Sequence, residues 1–167
     1  GFVTVNSAVC KNCADIISPD SDTVCFNGQA MEYREFVYLL LNKPKGILSA
    51  SNDKSRKTVI DLMPEKYRRR NLFPVGRLDK DTTGMLIITD DGAFAHDLIS
   101  PSKKIPKTYL VGLDGPLPSD AEEKFLSGIT LADGTLCRPA RLKPLEDNFA
   151  RLTLTEGKYH EVKRMFG

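Results

Sequence analysis

The segment "FPVGRLDKDTTGMLIITDDG", residues 73–92, holds four aspartates, an arginine and a pair of adjacent threonines between hydrophobic residues. Asp79 follows Arg77 by two positions, and on extended backbone two such side chains point to the same side of the chain. Gly76 and Gly84 bracket the loop and allow a ligand to approach its backbone closely. A carboxylate that a fixed loop holds beside a cation is suited to act as a nucleophile or a base. The pattern therefore makes Asp79 a candidate catalytic residue.

The pattern alone leaves two other interpretations of this loop open. In one, the loop is an ordinary turn and Asp79 accepts hydrogen bonds from neighbouring backbone amides. In the other, the D-x-D-x-T spacing belongs to a phosphotransferase whose first aspartate is the nucleophile and whose Mg²⁺ binds nearby. Gly76 and Arg77 disfavour the second interpretation, because they interrupt the hydrophobic strand that should lead directly into the first aspartate. Thr82 and Thr83 are expected to hydrogen-bond the loop's own backbone and fix it.

Elements that could position the loop begin with two short strands, near residues 2–6 and 22–28, and a turn at Asn27-Gly28. The apolar segment 35–46 predicts a buried strand, and the segment 57–68 predicts a helix that is interrupted at its proline. Further strands are predicted at 84–92, 107–115, 137–145 and 148–157, and helices at 93–101, 118–128 and 158–166.

Capping residues support one of these helices, since Ser119 is a candidate N-cap and Gly128 a candidate C-cap. Strands outnumber helices, and neighbouring strands are often joined by short turns. We therefore predict an α+β fold with a mixed, mainly antiparallel sheet and flanking helices.

The charge of the chain is uneven, although its net value is only +2. Residues 41–110 contain 14 basic and 8 acidic side chains, including the cluster "KYRRR" at 66–70, whereas the flanking segments are slightly acidic. Clustered Lys and Arg neutralise phosphates and release counterions, which favours a nucleic acid as partner.

Membrane and metal chemistry are not indicated. The longest apolar run, residues 36–41, is far shorter than the about 20 residues that span a bilayer, and no secretory signal is evident. Cys10 and Cys13 form C-x-x-C, but no second ligand pair has zinc spacing. These features predict a cytoplasmic protein with reduced cysteines and no metal site.

Four segments between residues 40 and 166 resemble, in order, the motifs of the pseudouridine synthases that modify ribosomal RNA, in particular the RsuA-type branch. The segments are "LLNKPKGILSA", "GRLDKDTTGMLIITDDG", "ISPSKKIPKTYLV" and "EGKYHEVKRMF". The resemblance implies the pseudouridine synthase fold and isomerisation of a uridine without a cofactor. It also implies that residues 1–33 are the C-terminal part of an S4 RNA-binding domain. The catalytic domain, residues 34–167, is expected to be incomplete at its C-terminal end.

The resemblance also implies roles for individual residues. Asp79 is the essential catalytic residue. Tyr109 stacks on the target base, Lys163 pairs with Asp79 and is expected to be buried, and Arg77 helps to hold the flipped-out nucleotide. Further substrate contacts are expected from Thr82, Lys107, His160 and Arg164, while Asp81, Asp90 and Asp91 are assigned to turns and caps.

The expected substrate is ribosomal RNA, and the form of the last motif favours 16S over 23S rRNA. The expected protein is a monomer. Two alternatives stay open at this point: an RNA-binding or ribosome-assembly module without catalysis, and the magnesium-dependent phosphotransferase.

Overall fold

A computed structural model describes residues 2–67 and 70–167. The chain divides into two compact units, Gly1–Val37 and Tyr38–Gly167. The first unit contains strands β1 (Val3–Val5), β2 (Ala8–Val9), β3 (Val24–Phe26) and β4 (Gln29–Ala30). The second contains strands β5 (Tyr38–Lys43), β6 (Phe73–Pro74), β7 (Gly84–Thr89), β8 (Lys107–Gly112), β9 (Arg141–Pro144) and β10 (Phe149–Leu154), helices α1 (Gly92–Ile99), α2 (Ala121–Ser127) and α3 (Glu161–Phe166), and 3₁₀ turns at Ile60–Leu62 and Glu65–Tyr67. This content confirms the predicted α+β class.

The first unit is a small antiparallel sheet with strand order β2-β1-β3-β4. Asn27 and Gly28 join β3 to β4, and both have positive φ, 51° and 81°. A two-residue hairpin turn needs such backbone, because its twist then matches that of the strands. The predicted turn is confirmed, whereas the S4 assignment and the boundary between residues 33 and 34 stay predictions.

The second unit is built from two three-stranded antiparallel sheets, ordered β5-β7-β6 and β8-β10-β9. The central strand of each sheet contributes buried residues to a hydrophobic core. Leu86 and Ile88 of β7 are buried with residues of the preceding loops, and Leu152 of β10 is buried against α2 and α3. The polar loop 75–83 lies between β6 and β7, so one well-packed sheet holds both of its ends. Among the described residues, none of the helices has the length and apolar character to span a bilayer.

Three predictions about elements need correction. The strand predicted as buried, β5, exposes one face, since Tyr38 and Leu40 are exposed while alternate residues face the core. The helix predicted around Pro64 is reduced to the two 3₁₀ turns, because the proline interrupts the segment after one turn. Helix α2 is preceded by Asp120 as N-cap rather than by Ser119, whereas Gly128 is the C-cap as predicted.

The two acidic residues that end β7 have the structural roles expected of them. Asp91 is the N-cap of α1 and accepts a hydrogen bond from the Phe94 amide at 2.9 Å. Tyr38 donates its hydroxyl to the same carboxylate at 2.6 Å. Asp90 forms an ion pair with Arg70, so neither carboxylate is directed to the loop that contains Asp79. Arg68 and Arg69 of the predicted basic cluster lie outside the described residues.

Position 128, at the end of α2, requires a glycine for two reasons: its backbone angle is unfavourable for other residues, and a side chain has no room there. Its φ is +99°, and an added Cβ would lie 2.7 Å from the Cys137 carbonyl oxygen. That carbonyl cannot easily retreat, because the amide of Cys137 donates to Ile129 O at 2.8 Å. We expect Gly128→Ala to lower the free energy of unfolding by roughly 3 kcal/mol in urea titrations.

The matched control is Gly134→Ala. Gly134 also has a positive φ, +82°, but a Cβ there would meet nothing within 4 Å. The free energy of unfolding of this variant should fall only by the cost of the strained backbone, about 1 kcal/mol. Equal losses in the two variants would show that the contact with Cys137 is unimportant.

Candidate active site

Ser49 and a core leucine fix the direction in which the loop side chains point. Leu78 packs against the core cluster beneath β7, and its backbone is held on both sides by the Ser49 hydroxyl. This hydroxyl donates to Leu78 O at 2.8 Å and accepts from Leu78 N at 3.1 Å. Because Leu78 faces inward, its neighbours face outward: Arg77 is exposed and Asp79 is partly exposed. The prediction that Arg77 and Asp79 point to the same side of the loop agrees with this arrangement.

Lys43, the last residue of β5, is completely buried, with 0% of its surface exposed. Its ammonium donates to Pro44 O at 3.1 Å, Lys80 O at 3.1 Å and Thr82 O at 2.9 Å. The Gly46 amide adds a bond of 2.7 Å to the same Lys80 carbonyl. All three donors of the ammonium are thus used, which a buried charge requires. The loop that carries Asp79 therefore folds around a cation supplied by the neighbouring strand.

The buried ammonium also contributes to the electrostatics of the loop. Burial lowers the pKa of Lys43, and the negative charges of Asp81 and Asp79 act in the opposite direction. These two carboxylates lie on the outer side of the loop whose carbonyls the ammonium binds. Lys43 is thus a fixed positive charge beneath both aspartates.

Two side chains from the end of the chain approach Asp79 from outside. His160 Nε2 lies 3.5 Å from Asp79 Oδ1, and Lys163 Nζ lies 3.5 Å from Asp79 Oδ2. The Asp79 side chain is 27% exposed, so it faces a cation-lined surface that a substrate can reach. The structure thus brings Asp79, Lys163 and His160 together.

Lys163 does not have the environment predicted for it. It was expected to be buried, but its side chain is 46% exposed. Its shortest contact is with Asp81, at 2.5 Å, and this hydrogen bond raises the pKa of Lys163 and lowers that of Asp81. Asp81 lies in the turn to which it was assigned, and its carboxylate has a further role that was not predicted. It shares Lys163 with Asp79.

Helix α3 and the residues before it place the His160 and Lys163 side chains. His160 has left-handed backbone, with φ 48° and ψ 34°, and its ring stacks on Tyr159 at 3.9 Å. Met165 is buried, and the Phe166 ring lies 5.0 Å from that of Phe125. The helix is thus anchored by its apolar face to the core, and its first turn presents His160 and Lys163 to Asp79.

Tyr109 on β8 completes the group around Asp79. The residue is partly buried against the core of the second sheet. Burial raises the pKa of Tyr109, and the negative charges of Glu161 and Asp79 raise it further. The phenol therefore stays protonated at neutral pH, within electrostatic range of the Asp79 carboxylate.

The remaining predicted substrate contacts have different environments. Thr82 helps to hold the loop through its backbone. Its amide donates to Asp79 O at 3.1 Å, and its carbonyl accepts from the Lys43 ammonium. Lys107 begins the strand that contains Tyr109, and its ammonium donates to Ile105 O at 3.4 Å. Arg164 points away from Asp79, because its guanidinium forms an ion pair with Asp133. The substrate roles of these residues stay predictions.

Sequence reasoning gave no role to Lys43 or Ser49, although both lie in a segment that it singled out. The available signal was a lysine at the end of an otherwise apolar strand. A charged residue in such a position is either at the surface or fully bonded inside. The sequence does not show which of the two applies.

One further cluster has the residue types of a metal site. Ligand atoms of Cys137, Glu156 and Glu161 lie within 4.8 Å of one another in the part of the chain that the structure describes. The Lys158 ammonium already bonds Glu156 and lies 3.8 Å from Glu161. The Arg138 guanidinium lies 3.9 Å from Glu156 as well, so two cations of the chain itself face these two carboxylates, and the cluster fits a metal ion poorly.

Comparison with known proteins shows the family of the chain. The sequence profile described as RNA pseudouridylate synthase matches residues 37–167. The chain belongs to the RNA pseudouridylate synthase family. An uncharacterised RNA pseudouridine synthase of Bacillus subtilis (strain 168) is 40% identical over an alignment of 169 positions, which covers 99% of this chain and 71% of that protein. The ribosomal small subunit pseudouridine synthase A of Escherichia coli (strain K12) is 38% identical over 98% of this chain and 71% of its own length.

A solved structure supports the fold as well. A crystal structure of a pseudouridylate synthase is 34% identical, covers 99% of this chain and 71% of the other, and superposes with a TM-score of 0.73. The pseudouridine synthase fold implied by the motifs is therefore confirmed.

Lys43→Met tests whether the buried ammonium holds the loop. Methionine keeps most of the apolar stem but leaves the Lys80 and Thr82 carbonyls without this donor. Because unsatisfied buried polar groups cost about 1–3 kcal/mol each, the free energy of unfolding should fall by roughly 3 kcal/mol in urea titrations. Lys45→Met is the control, since Lys45 lies two residues away and is exposed. It should change the free energy by less than about 0.5 kcal/mol. Equal stability of the two variants would contradict the role of Lys43.

Proposed function

We propose that this chain isomerises a specific uridine of 16S ribosomal RNA to pseudouridine and that Asp79 is the essential catalytic residue. The observation that carries the proposal is the position of Asp79 on a loop fixed by Lys43 and faced by Lys163 and His160, in a chain of this family. Relatives named as ribosomal small subunit pseudouridine synthases, such as that of Escherichia coli, support 16S rRNA as the substrate.

The reaction sets clear demands on the site. The uracil base leaves C1′ of its ribose as the N1–C1′ bond breaks, turns, and rejoins through a new C5–C1′ bond. The C5 proton is released to solvent, and N1 takes up a proton from solvent. Atoms and electrons balance within the nucleotide, so no oxidant, reductant or cofactor is consumed. The uridine must first leave its stack, which costs a few kcal/mol and is offset by stacking on an aromatic ring and by cations that hold the backbone.

Asp79 supplies the negative charge that the reaction needs. Its oxygen either attacks C1′ or removes the proton from C2′, and both routes begin from the carboxylate. Lys163 and His160 hold that carboxylate in place from outside, while the Lys43–carbonyl bonds hold its backbone from beneath.

Tyr109 is assigned two tasks, stacking on the target base and positioning the acceptor of the C5 proton. A phenol whose pKa is raised by burial is a poor base at neutral pH. We therefore assign the proton to solvent water that the Tyr109 hydroxyl holds near the base. Arg77, which is exposed beside Asp79, is assigned to the phosphate of the flipped nucleotide.

The assignment of Asp79 is tested by tritium release from 16S rRNA that carries tritium at uridine C5. Asp79→Asn keeps the shape of the side chain and removes its charge, so release should fall by at least about 1,000-fold. Asp81→Asn is the matched control on the same loop. It removes an exposed ion pair worth at most about 1 kcal/mol, so release should stay within about fivefold of the unmodified chain.

Two further arms of this assay separate the alternatives. Absence of release from the unmodified chain, with intact RNA binding, would favour the non-catalytic RNA-binding module. Tritium release from 23S but not from 16S rRNA would mean that 23S rRNA is the substrate, and the proposed reaction would stay the same. Hydrolysis of phosphate esters that EDTA abolishes would favour the magnesium-dependent phosphotransferase.

Substitutions at Tyr109 separate stacking from proton transfer. Tyr109→Phe keeps the ring, so KM for RNA should stay within about twofold while kcat falls at least about tenfold. Tyr109→Ala removes the ring as well, and the lost stacking of about 1–3 kcal/mol should raise KM by at least about fivefold. Steady-state tritium release measures both. If Tyr109→Phe raised KM and left kcat unchanged, the assigned roles would be wrong.

A further inference from the structure

The sheet β8-β10-β9 has an outer face that the catalytic chemistry does not use. Tyr109 and Leu152 lie opposite each other on the inner face, which packs against α2 and α3. Side chains alternate along a strand, so Thr108 and Thr153, also paired, lie on the outer face. Their hydroxyls form a hydrogen bond of 2.9 Å.

Three cations are concentrated on this outer face, which we call the basic face: Arg141, Lys143 and Arg151. All three are exposed, and none of them has a carboxylate within ion-pair distance in the part of the chain that the structure describes. They line a groove of about 810 Å³ together with the threonine pair, and Glu122 is the only acidic residue in that lining.

The register of the strands makes this concentration of charge unfavourable by itself. Arg151 is paired directly with Lys143, and Arg141 is paired with Thr153. Like charges held directly opposite on neighbouring strands repel and destabilise the sheet. An anion in the groove would remove this repulsion.

An aromatic ring extends the same face towards the other end of β10. Phe149 lies two residues before Arg151, is 42% exposed and is paired with Gly112. The ring covers Gly112, since a Cβ on that glycine would lie 3.4 Å from Phe149 Cε1. A ring fixed over a glycine, next to a line of cations, is a surface on which a base of single-stranded RNA can stack while its phosphates meet the cations.

We infer that the basic face is a second RNA-binding surface, which takes single-stranded nucleotides flanking the target uridine. Arg141, Lys143 and Arg151 bind consecutive phosphates, and Phe149 stacks on a base. The basic face and the inner face share strand β8, on which Thr108 directly precedes Tyr109. This inference rests on the proposed function in that it takes the substrate to be RNA.

The test compares two triple variants of equal charge. The first contains Arg141→Gln, Lys143→Gln and Arg151→Gln. The control contains Arg56→Gln, Lys103→Gln and Lys124→Gln, whose cations are already paired with aspartates. Affinity is measured by filter binding at several salt concentrations. One 16S fragment carries single-stranded flanks around the target uridine, and the other is trimmed to the target stem-loop.

On the flanked RNA, the first triple variant should lose at least about tenfold in affinity at 0.1 M salt. Its slope of log K against log salt should decrease by about 2, because each phosphate contact with single strands contributes about 0.7. The control variant and the trimmed RNA should show less than about twofold change. In the tritium assay, KM for flanked RNA should rise while kcat stays within about twofold.

Phe149→Ala gives an independent measurement. It should weaken binding of the flanked RNA by about fivefold or more, through lost stacking, without changing the salt slope. Equal affinity and slope for the two triple variants would overturn the inference and leave an acidic protein segment as the occupant of the groove. Because binding is measured without turnover, absence of tritium release would refute the proposed function while the binding result still decides this inference.

Discussion

The bonds from the buried Lys43 ammonium to the Lys80 and Thr82 carbonyls are the constraint on which the rest of the site depends. A polar loop with four charged residues and a glycine has many conformations available. This one is selected because a buried cation must have its donors satisfied, and only a loop that turns its carbonyls inward can do so. With the carbonyls directed to Lys43 and Leu78 directed to the core, Asp79 has to face outward.

The second constraint is the docking of α3, which comes from a distant part of the sequence. Its apolar face is held by Met165 and Phe166 in the core of the other sheet. The two sheets therefore contribute to one place: the β6–β7 loop brings the aspartates, and the start of α3 brings the His160 ring and the Lys163 ammonium. Neither sheet forms this arrangement by itself. Activity thus depends on how the packing of the second unit positions the two sheets relative to each other.

Much of this could be predicted from the sequence, and the failures have specific physical causes. Alternation and turn residues predicted the strands and the Asn27-Gly28 hairpin, because those signals are local. The motifs paired Lys163 with Asp79, and the structure places Lys163 Nζ 3.5 Å from Asp79 Oδ2. The charge of Asp79 also raises the pKa of Tyr109, while the catalytic roles of these residues stay predictions. The exposed environment of Lys163 and its bond to Asp81 were missed, because both depend on the exact rotation of α3 on the core. The role of Lys43 was missed because a lysine shows its burial only when the loop that covers it is known.

The sharing of Lys163 between two aspartates has a consequence for the charge balance of the site. Asp79 and Asp81 contribute two negative charges, and Lys43 and Lys163 contribute two positive ones, so the formal sum of these four groups is zero. A nucleotide that enters with its phosphate adds a negative charge that none of these four groups is free to neutralise. Arg77 is exposed two residues before Asp79, and within the described ranges no ion pair of its own is present. For the proposed reaction, Arg77 would thus supply a fifth charge to that phosphate, and the contacts that hold the Asp79 carboxylate would stay in place.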